Sequence, residues 1–134
     1  MKYLFILISF LLSIQFSSAT EKEYTLQNGN TVLAVSKDGK LLSLQTGNIR
    51  YLSLNAPYVV TLEVNAETLN GYYTSVKRKE ESLVCIAKLK SVRGTVFHVK
   101  DVFTADTENH FRMDREVVID EIGKGDEYFN SYFG

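Results

Sequence analysis

Thr95-Val96-Phe97-His98-Val99-Lys100-Asp101-Val102-Phe103-Thr104 and Phe111-Arg112-Met113-Asp114-Arg115-Glu116-Val117-Val118-Ile119 flank the polar stretch Ala105-Asp106-Thr107-Glu108-Asn109-His110. Two alternating apolar segments joined by turn residues predict a long antiparallel hairpin. The pairing that sets Phe103 against Met113 also sets Val99 against Val117 and Phe97 against Ile119. One face is then apolar, because side chains two apart in a strand share a face. The same register places Lys100 opposite Glu116 on the other face, a cross-strand pair of favourable sign. A slip of one residue would turn the apolar set to the wrong side.

This register puts Asp101 opposite Arg115 on the apolar face. Neither charge is tolerated alone there, since an isolated buried ion costs more than a domain's margin of stability. One reading is a structural ion pair near the end of the core. The other is a polar site at the sheet mouth, with Arg115 gripping an anionic or sugar ligand.

Working back towards the N-terminus, Glu23 to Gln27, Thr31 to Ser36, Leu41 to Thr46 and Ile49 to Leu54 read as four short strands of a meander. They are separated by Asn28-Gly29-Asn30, Lys37-Asp38-Gly39-Lys40 and Gly47-Asn48, and Asn-Gly favours a type I′ hairpin turn with positive φ at both central residues. After Asn55-Ala56-Pro57 the alternation resumes from Tyr58 to Ala66, with Leu69-Asn70-Gly71 predicted as the next turn. Tyr72 to Lys77 and Ser82 to Ser91 follow as strands, with Lys77-Arg78-Lys79-Glu80-Glu81 read as a solvated turn. No stretch carries a sustained helical period with caps. The fold class is all-β: an antiparallel β-sandwich or part of one, although a closed barrel satisfies the same pattern.

Met1 to Ala19 has the form of a secretory signal, with Lys2, an apolar run and Ser17-Ser18-Ala19 at the cleavage end. Residues 20–134 are then one β-sandwich domain, secreted or periplasmic after cleavage near Ala19. The apolar run is too short for a permanent membrane span. A formal net charge of −1 with scattered signs gives no basic patch for nucleic acid. Cys85 is the only cysteine and shares a strand face with Leu83, Ala87 and Leu89, so it reads as a small core residue.

Catalytic and metal chemistry find little support. Glycoside hydrolysis ordinarily needs two carboxyl groups about 5 to 10 Å apart; here Asp101 points inward while Asp114, Glu116 and Asp120 point outward, leaving only Asp106 and Glu108 in the turn to approach each other. His98 and His110 have no second ligand at metal spacing. There is no nucleophile elbow, P-loop or dinucleotide fingerprint, hence no catalytic residue, metal or cofactor is assigned. Sugars stack on exposed rings, and Tyr58, Tyr72 and Tyr73 are the candidates for a carbohydrate platform. Adjacent Tyr72 and Tyr73 point opposite ways in a strand, so the competing reading is one ring in the core and one on the surface. Tyr128, Phe129, Tyr132 and Phe133 crowd the C-terminal stretch, which predicts that this tail docks on the sheet or that the chain continues.

Asn30-Thr31-Val32-Leu33-Ala34-Val35 with Asp38-Gly39-Lys40-Leu41-Leu42-Ser43-Leu44 resembles the first strands of the galactose-mutarotase-like β-supersandwich at the N-terminus of many exported bacterial glycoside hydrolases. Val99 to Phe103 with Phe111 to Ile119 is similar to a later hairpin of that domain, and Gly125 to Phe133 looks like the segment leading into its next strand. The resemblance implies a non-catalytic, supersandwich-like portion of a longer carbohydrate-active enzyme, packed against a catalytic (α/α)-barrel that carries the acid and base. The alternative is a stand-alone exported module that binds glycan or protein.

Overall fold

The computed structural model describes residues 23–40, 42–50 and 59–132. The signal stretch, Tyr58 and the end of the fourth expected strand lie outside the described residues. Within them every regular element is a strand: β1 (Glu23–Asn28), β2 (Thr31–Ser36), β3 (Leu42–Thr46), β4 (Ile49–Arg50), β5 (Val60–Val64), β6 (Glu67–Gly71), β7 (Ser75–Lys79), β8 (Ser82–Lys90), β9 (Val96–Ala105), β10 (Phe111–Glu121) and β11 (Phe129–Tyr132). No helix among them is long and apolar enough to cross a membrane.

The strands form three antiparallel sheets, ordered β1-β2-β3-β4, β10-β9-β8-β7 and β11-β5-β6. The second is one layer of a sandwich. Its buried face meets β1 of the first sheet and β6 of the third. Alternation explains the layering: Leu83, Cys85, Ala87 and Leu89 of β8 and Phe97, Val99, Asp101 and Phe103 of β9 are all buried, whereas Lys88 and Lys100 between them face solvent. Leu26, Leu33 and Val35 from one facing sheet and Val60, Leu62, Val64 and Leu69 from the other complete the core.

The central hairpin has the register read from its sequence. Met113 faces Phe103, Arg115 faces Asp101, Glu116 faces Lys100, Val117 faces Val99 and Ile119 faces Phe97, with a bulge between Ile119 and Glu121. Lys100 Nζ lies 3.1 Å from Glu116 Oε2. The β1–β4 meander is also as expected, but its turns differ in kind. Gly29 and Gly47 adopt φ of 57° each, while Asn30 and Asn48 keep negative φ, the pattern of a type II′ rather than a type I′ turn.

Two turn assignments are corrected. Leu69-Asn70-Gly71 is strand, with Leu69 opposite Leu62 and Gly71 opposite Val60. The chain reverses earlier, at Asn65 and Ala66, whose φ values of 46° and 67° form the left-handed pair a two-residue hairpin demands. An alanine in that conformation carries no sequence signal; burial of the Leu62–Leu69 pair outweighs its local cost. Likewise Lys77, Arg78 and Lys79 belong to β7, and the reversal falls at Glu80, with φ of 50°.

The C-terminal stretch docks. β11 pairs antiparallel with β5, Phe129 opposite Val64 and Tyr132 opposite Thr61. Asn65 anchors the approach to it: Oδ1 accepts from the amides of Glu127 (3.2 Å) and Tyr128 (3.1 Å), and Nδ2 donates to the Gly125 carbonyl at 2.6 Å. Arg93 Nη1 donates to the same carbonyl. Asp126 Oδ2 accepts from Ser91 Oγ at 2.6 Å and Thr95 Oγ1 at 2.5 Å. Those hydroxyls, with Arg93 nearby, hold the Asp126 carboxyl below its usual range. Asn65→Gly keeps the backbone conformation available and removes only the side-chain bonds. The expected result is a loss of about 1–3 kcal/mol in urea unfolding, with faster limited proteolysis between residues 123 and 132. Unchanged cleavage there would show that the Asn65 side chain does not hold the tail.

Candidate functional site

A buried carboxylate must find donors for most of its lone pairs, and one arginine supplies only part of them. Asp101 is fully buried. Arg115 meets it with two parallel bonds, Nε to Oδ1 and Nη2 to Oδ2, each 2.6 Å, the fork geometry that makes arginine suited to carboxylates. Tyr73 supplies the remaining donor: its hydroxyl gives a 2.6 Å bond to Oδ2. The third group comes from the β6–β7 connection, just before the chain enters β7 of the same sheet.

Arg115 also ties the layers together. Its Nη1 donates to the Tyr132 carbonyl at 2.6 Å and to Ser131 Oγ at 3.2 Å, both on β11. Burial alone would lower the guanidinium pKa. Hydrogen bonding and charge from Asp101 outweigh that, holding Arg115 above its ordinary value. It stays charged at any pH at which the chain folds. The Tyr73 phenol is pushed far up by burial, then by the charge and hydrogen bond of Asp101. Asp101, Arg115 and Tyr73 thus form a buried ion pair with a tyrosine clasp, and Arg115 gives its Nη1 protons to β11.

Cys85 sits directly across from Asp101 on β8. Burial first, and the nearby negative charge second, push its thiol up to about 12. A thiolate is the reactive form, so the native chain should resist a thiol reagent at pH 8 and react once unfolded in urea. Cys85 and Tyr73 both have folded pKa values raised above their unfolded ones. Their stabilising effect is complete below pH 9, the ordinary thiol value, and is lost as pH rises towards 12. Melting temperature should therefore fall across that window, and Cys85→Ala should flatten part of the fall. A slope identical in both chains would remove Cys85 from this account.

Of the tyrosines named as a carbohydrate platform, Tyr72 and Tyr73 point to opposite sides of the β6–β7 connection, one exposed and one buried. Tyr73 is 2% exposed, and its ring is committed to the Asp101 clasp, so it presents no face to a sugar. Tyr72 is 38% exposed, on the surface side of the same connection. Tyr58 lies outside the described residues. Burial of a phenol beside a carboxylate was signalled only by the unfilled lone pairs of Asp101; no spacing linked the two residues.

Exposed aromatics gather elsewhere. Ile119, Ile122, Tyr128 and Phe129 surround a cleft of about 120 Å³ floored by Val64 and Phe97. Tyr128 and Ile122 are each 75% exposed. The Phe129 ring packs tilted on Phe97, with centroids 5.9 Å apart and an interplanar angle of 56°. At the opposite end of β10, a wider apolar groove of about 260 Å³ runs between Leu33, Leu44, Phe103, Phe111 and Met113, with His110 at its rim. The two central-hairpin histidines are separate: His98 Nε2 is 3.4 Å from Asp120, while His110 Nδ1 faces the Glu108 carbonyl at 2.8 Å. Among the described residues no three His, Cys, Asp or Glu side chains are grouped to hold a metal ion.

Comparison with family models, with curated proteins and with solved structures finds nothing that matches this chain.

Proposed function

We propose that the chain is a non-catalytic, exported β-sandwich that supports a neighbouring catalytic domain of a carbohydrate-active protein. The observation that carries the reading is the aromatic cleft at Ile119, Ile122, Tyr128 and Phe129. Its apolar side chains stand exposed beside Thr95, Asp126 and Glu127, and exposed apolar clusters rimmed by polar residues mark docking sites. Support also comes from the interior: Asp101, Arg115 and Tyr73 spend their hydrogen bonds on one another and on β11, which suits a scaffold. The likeness of the strand pattern to an N-terminal supersandwich is the reason for naming a carbohydrate-active neighbour.

A second reading, a stand-alone glycan-binding module, draws on the same exposed Tyr128 ring and on Tyr72. The purified chain, tested by hydrophobic-dye fluorescence and by affinity electrophoresis through soluble polysaccharides, separates the two. The supporting role predicts dye binding that falls severalfold on Ile122→Ser with Tyr128→Ser, and no retardation by polysaccharide. Retardation abolished by Tyr128→Ala or Tyr72→Ala would establish the module instead. Turnover of a glycoside by the chain alone would overturn both.

A further inference from the structure

Two hairpin loops are fastened to each other by side chains. Asn28 closes β1, and its Nδ2 donates to two carbonyls of the β9–β10 loop, Thr107 at 2.6 Å and His110 at 2.8 Å. Asn109 of that loop answers, its Oδ1 accepting from the Asn30 amide at 2.8 Å. Asn109 lies against Gly29, where an added Cβ would stand 2.5 Å from the same Oδ1. The contact therefore requires a side chain with two N–H donors at 28 and none at all at 29. Asparagine followed by glycine meets both needs. It is also the dipeptide in which the backbone most readily attacks its own side chain, since without a Cβ the next amide nitrogen is unshielded.

We propose that Asn28 is a modification site, where water converts the carboxamide to a carboxylate and releases the two loops from each other irreversibly. The Gly29 nitrogen loses its proton and bonds to Asn28 Cγ, while the Cγ–Nδ2 bond breaks and ammonia leaves. Water then opens the five-membered imide at either carbonyl, giving aspartate, or isoaspartate with the main chain running through the side chain. Water is consumed and ammonia released, with no change of oxidation state. The product carboxylate has no proton to give, and its oxygens would face the Thr107 and His110 carbonyls. Both bonds are lost and repulsion takes their place, so the contact does not close again. The freed loop carries Asn109 and His110, which line the apolar groove beside Phe111 and Met113.

The chain holds its own control. Asn70-Gly71 is the same dipeptide, but both residues lie in β6, Asn70 opposite Thr61 and Gly71 opposite Val60. Pairing holds that backbone extended and keeps the Gly71 nitrogen from swinging onto the side chain. Asn70 also uses its other end: Oδ1 accepts from Thr61 Oγ1 at 2.9 Å, a bond that an aspartate retains. Asn28 is instead the last residue of β1, and Gly29 already belongs to the turn, with φ of 57°. One chemistry thus meets an accessible, consequential site at 28 and a guarded, indifferent one at 70.

The test ages the full chain in mildly alkaline buffer, folded and in urea, and follows Asn28 and Asn70 by peptide mass spectrometry. In urea both should convert at similar rates. In the folded chain Asn28 should convert while Asn70 lags at least about tenfold, because a paired strand opens far less often than a turn. The converted chain should exchange its Asn30 amide faster, having lost the Asn109 acceptor. A freshly made Asn28→Asp chain should reproduce that exchange and melt about 5–10 °C below the parent. Asn28→Ala, which loses the bonds without the repulsion, should fall less, and Asn70→Asp should melt close to the parent. Three results would each overturn the proposal: no conversion at Asn28 in the folded chain, conversion at Asn70 just as fast, or an Asn28→Asp chain that exchanges Asn30 and melts as the parent does.

Discussion

Asp101→Ala lowers the unfolding free energy by about 3–5 kcal/mol, because it leaves the Arg115 guanidinium inside the sandwich with no counter-charge. The Arg115 side chain is only 8% exposed, so water does not replace the lost carboxylate. The Tyr73 hydroxyl is orphaned at the same time, losing its 2.6 Å bond. A domain with an ordinary margin of about 5–15 kcal/mol would be left near the limit of folding. Urea denaturation of the two chains measures the loss directly. A loss below about 1 kcal/mol, the range of exposed ion pairs, would show that the pair is effectively solvated. The triple replacement Asp101→Leu, Arg115→Met and Tyr73→Phe removes the charges and the hydroxyl together and should recover most of the loss, since apolar groups of similar volume often replace a buried pair without penalty. Failure of the triple variant to recover would place the effect in packing or in the Arg115 bonds to β11.

Gly39→Ala has the second large effect. Gly39 has φ of 71°, and a Cβ there would stand 1.9 Å from the Tyr73 carbonyl oxygen and 2.7 Å from its carbon. The left-handed conformation and the forced repacking together should cost about 3 kcal/mol or more. The obstacle is backbone, so no side-chain rotation relieves it. The turn between β2 and β3 must lift, breaking the bond from the Tyr73 amide to the Gly39 carbonyl (3.1 Å). That displacement reaches the Asp101 clasp through the Tyr73 ring. Gly47→Ala is the matched control: φ is 57°, but nothing lies within 4 Å of the added carbon, so only the conformational cost of about 1–2 kcal/mol remains. The two variants should thus separate clearly in thermal melts. Equal destabilisation would mean that the contact with Tyr73 yields easily.

Much of the architecture was legible because it is local. Alternation with period two assigns faces within a strand, and Gly29, Gly39 and Gly47 mark where the chain reverses. The Asn65–Ala66 reversal was not legible because Ala66 gives no turn signal after Asn65 and the apolar alternation ran straight through it. The candidate site was half legible. Asp101 and Arg115 were paired by the hairpin register; their partner was not, since Tyr73 is 28 residues away from Asp101 in sequence and lies on a connection between strands, outside any register.

By itself, then, the sequence determined an all-β chain, the meander of its first strands, and the central hairpin down to the residues that face each other. Those features follow from side-chain periodicity and neighbours in the chain, which tertiary packing does not alter. The tertiary structure alone decided that Tyr73 closes the ion pair, that Asn65 captures Gly125 to Tyr128, and that the exposed aromatic surface forms at Tyr128 and Phe129 rather than at Tyr72 and Tyr73. Each of these joins segments far apart in the chain. Alternation says which way a side chain points, but what it meets there depends on which sheets are stacked, and that is settled only when the whole core is buried at once.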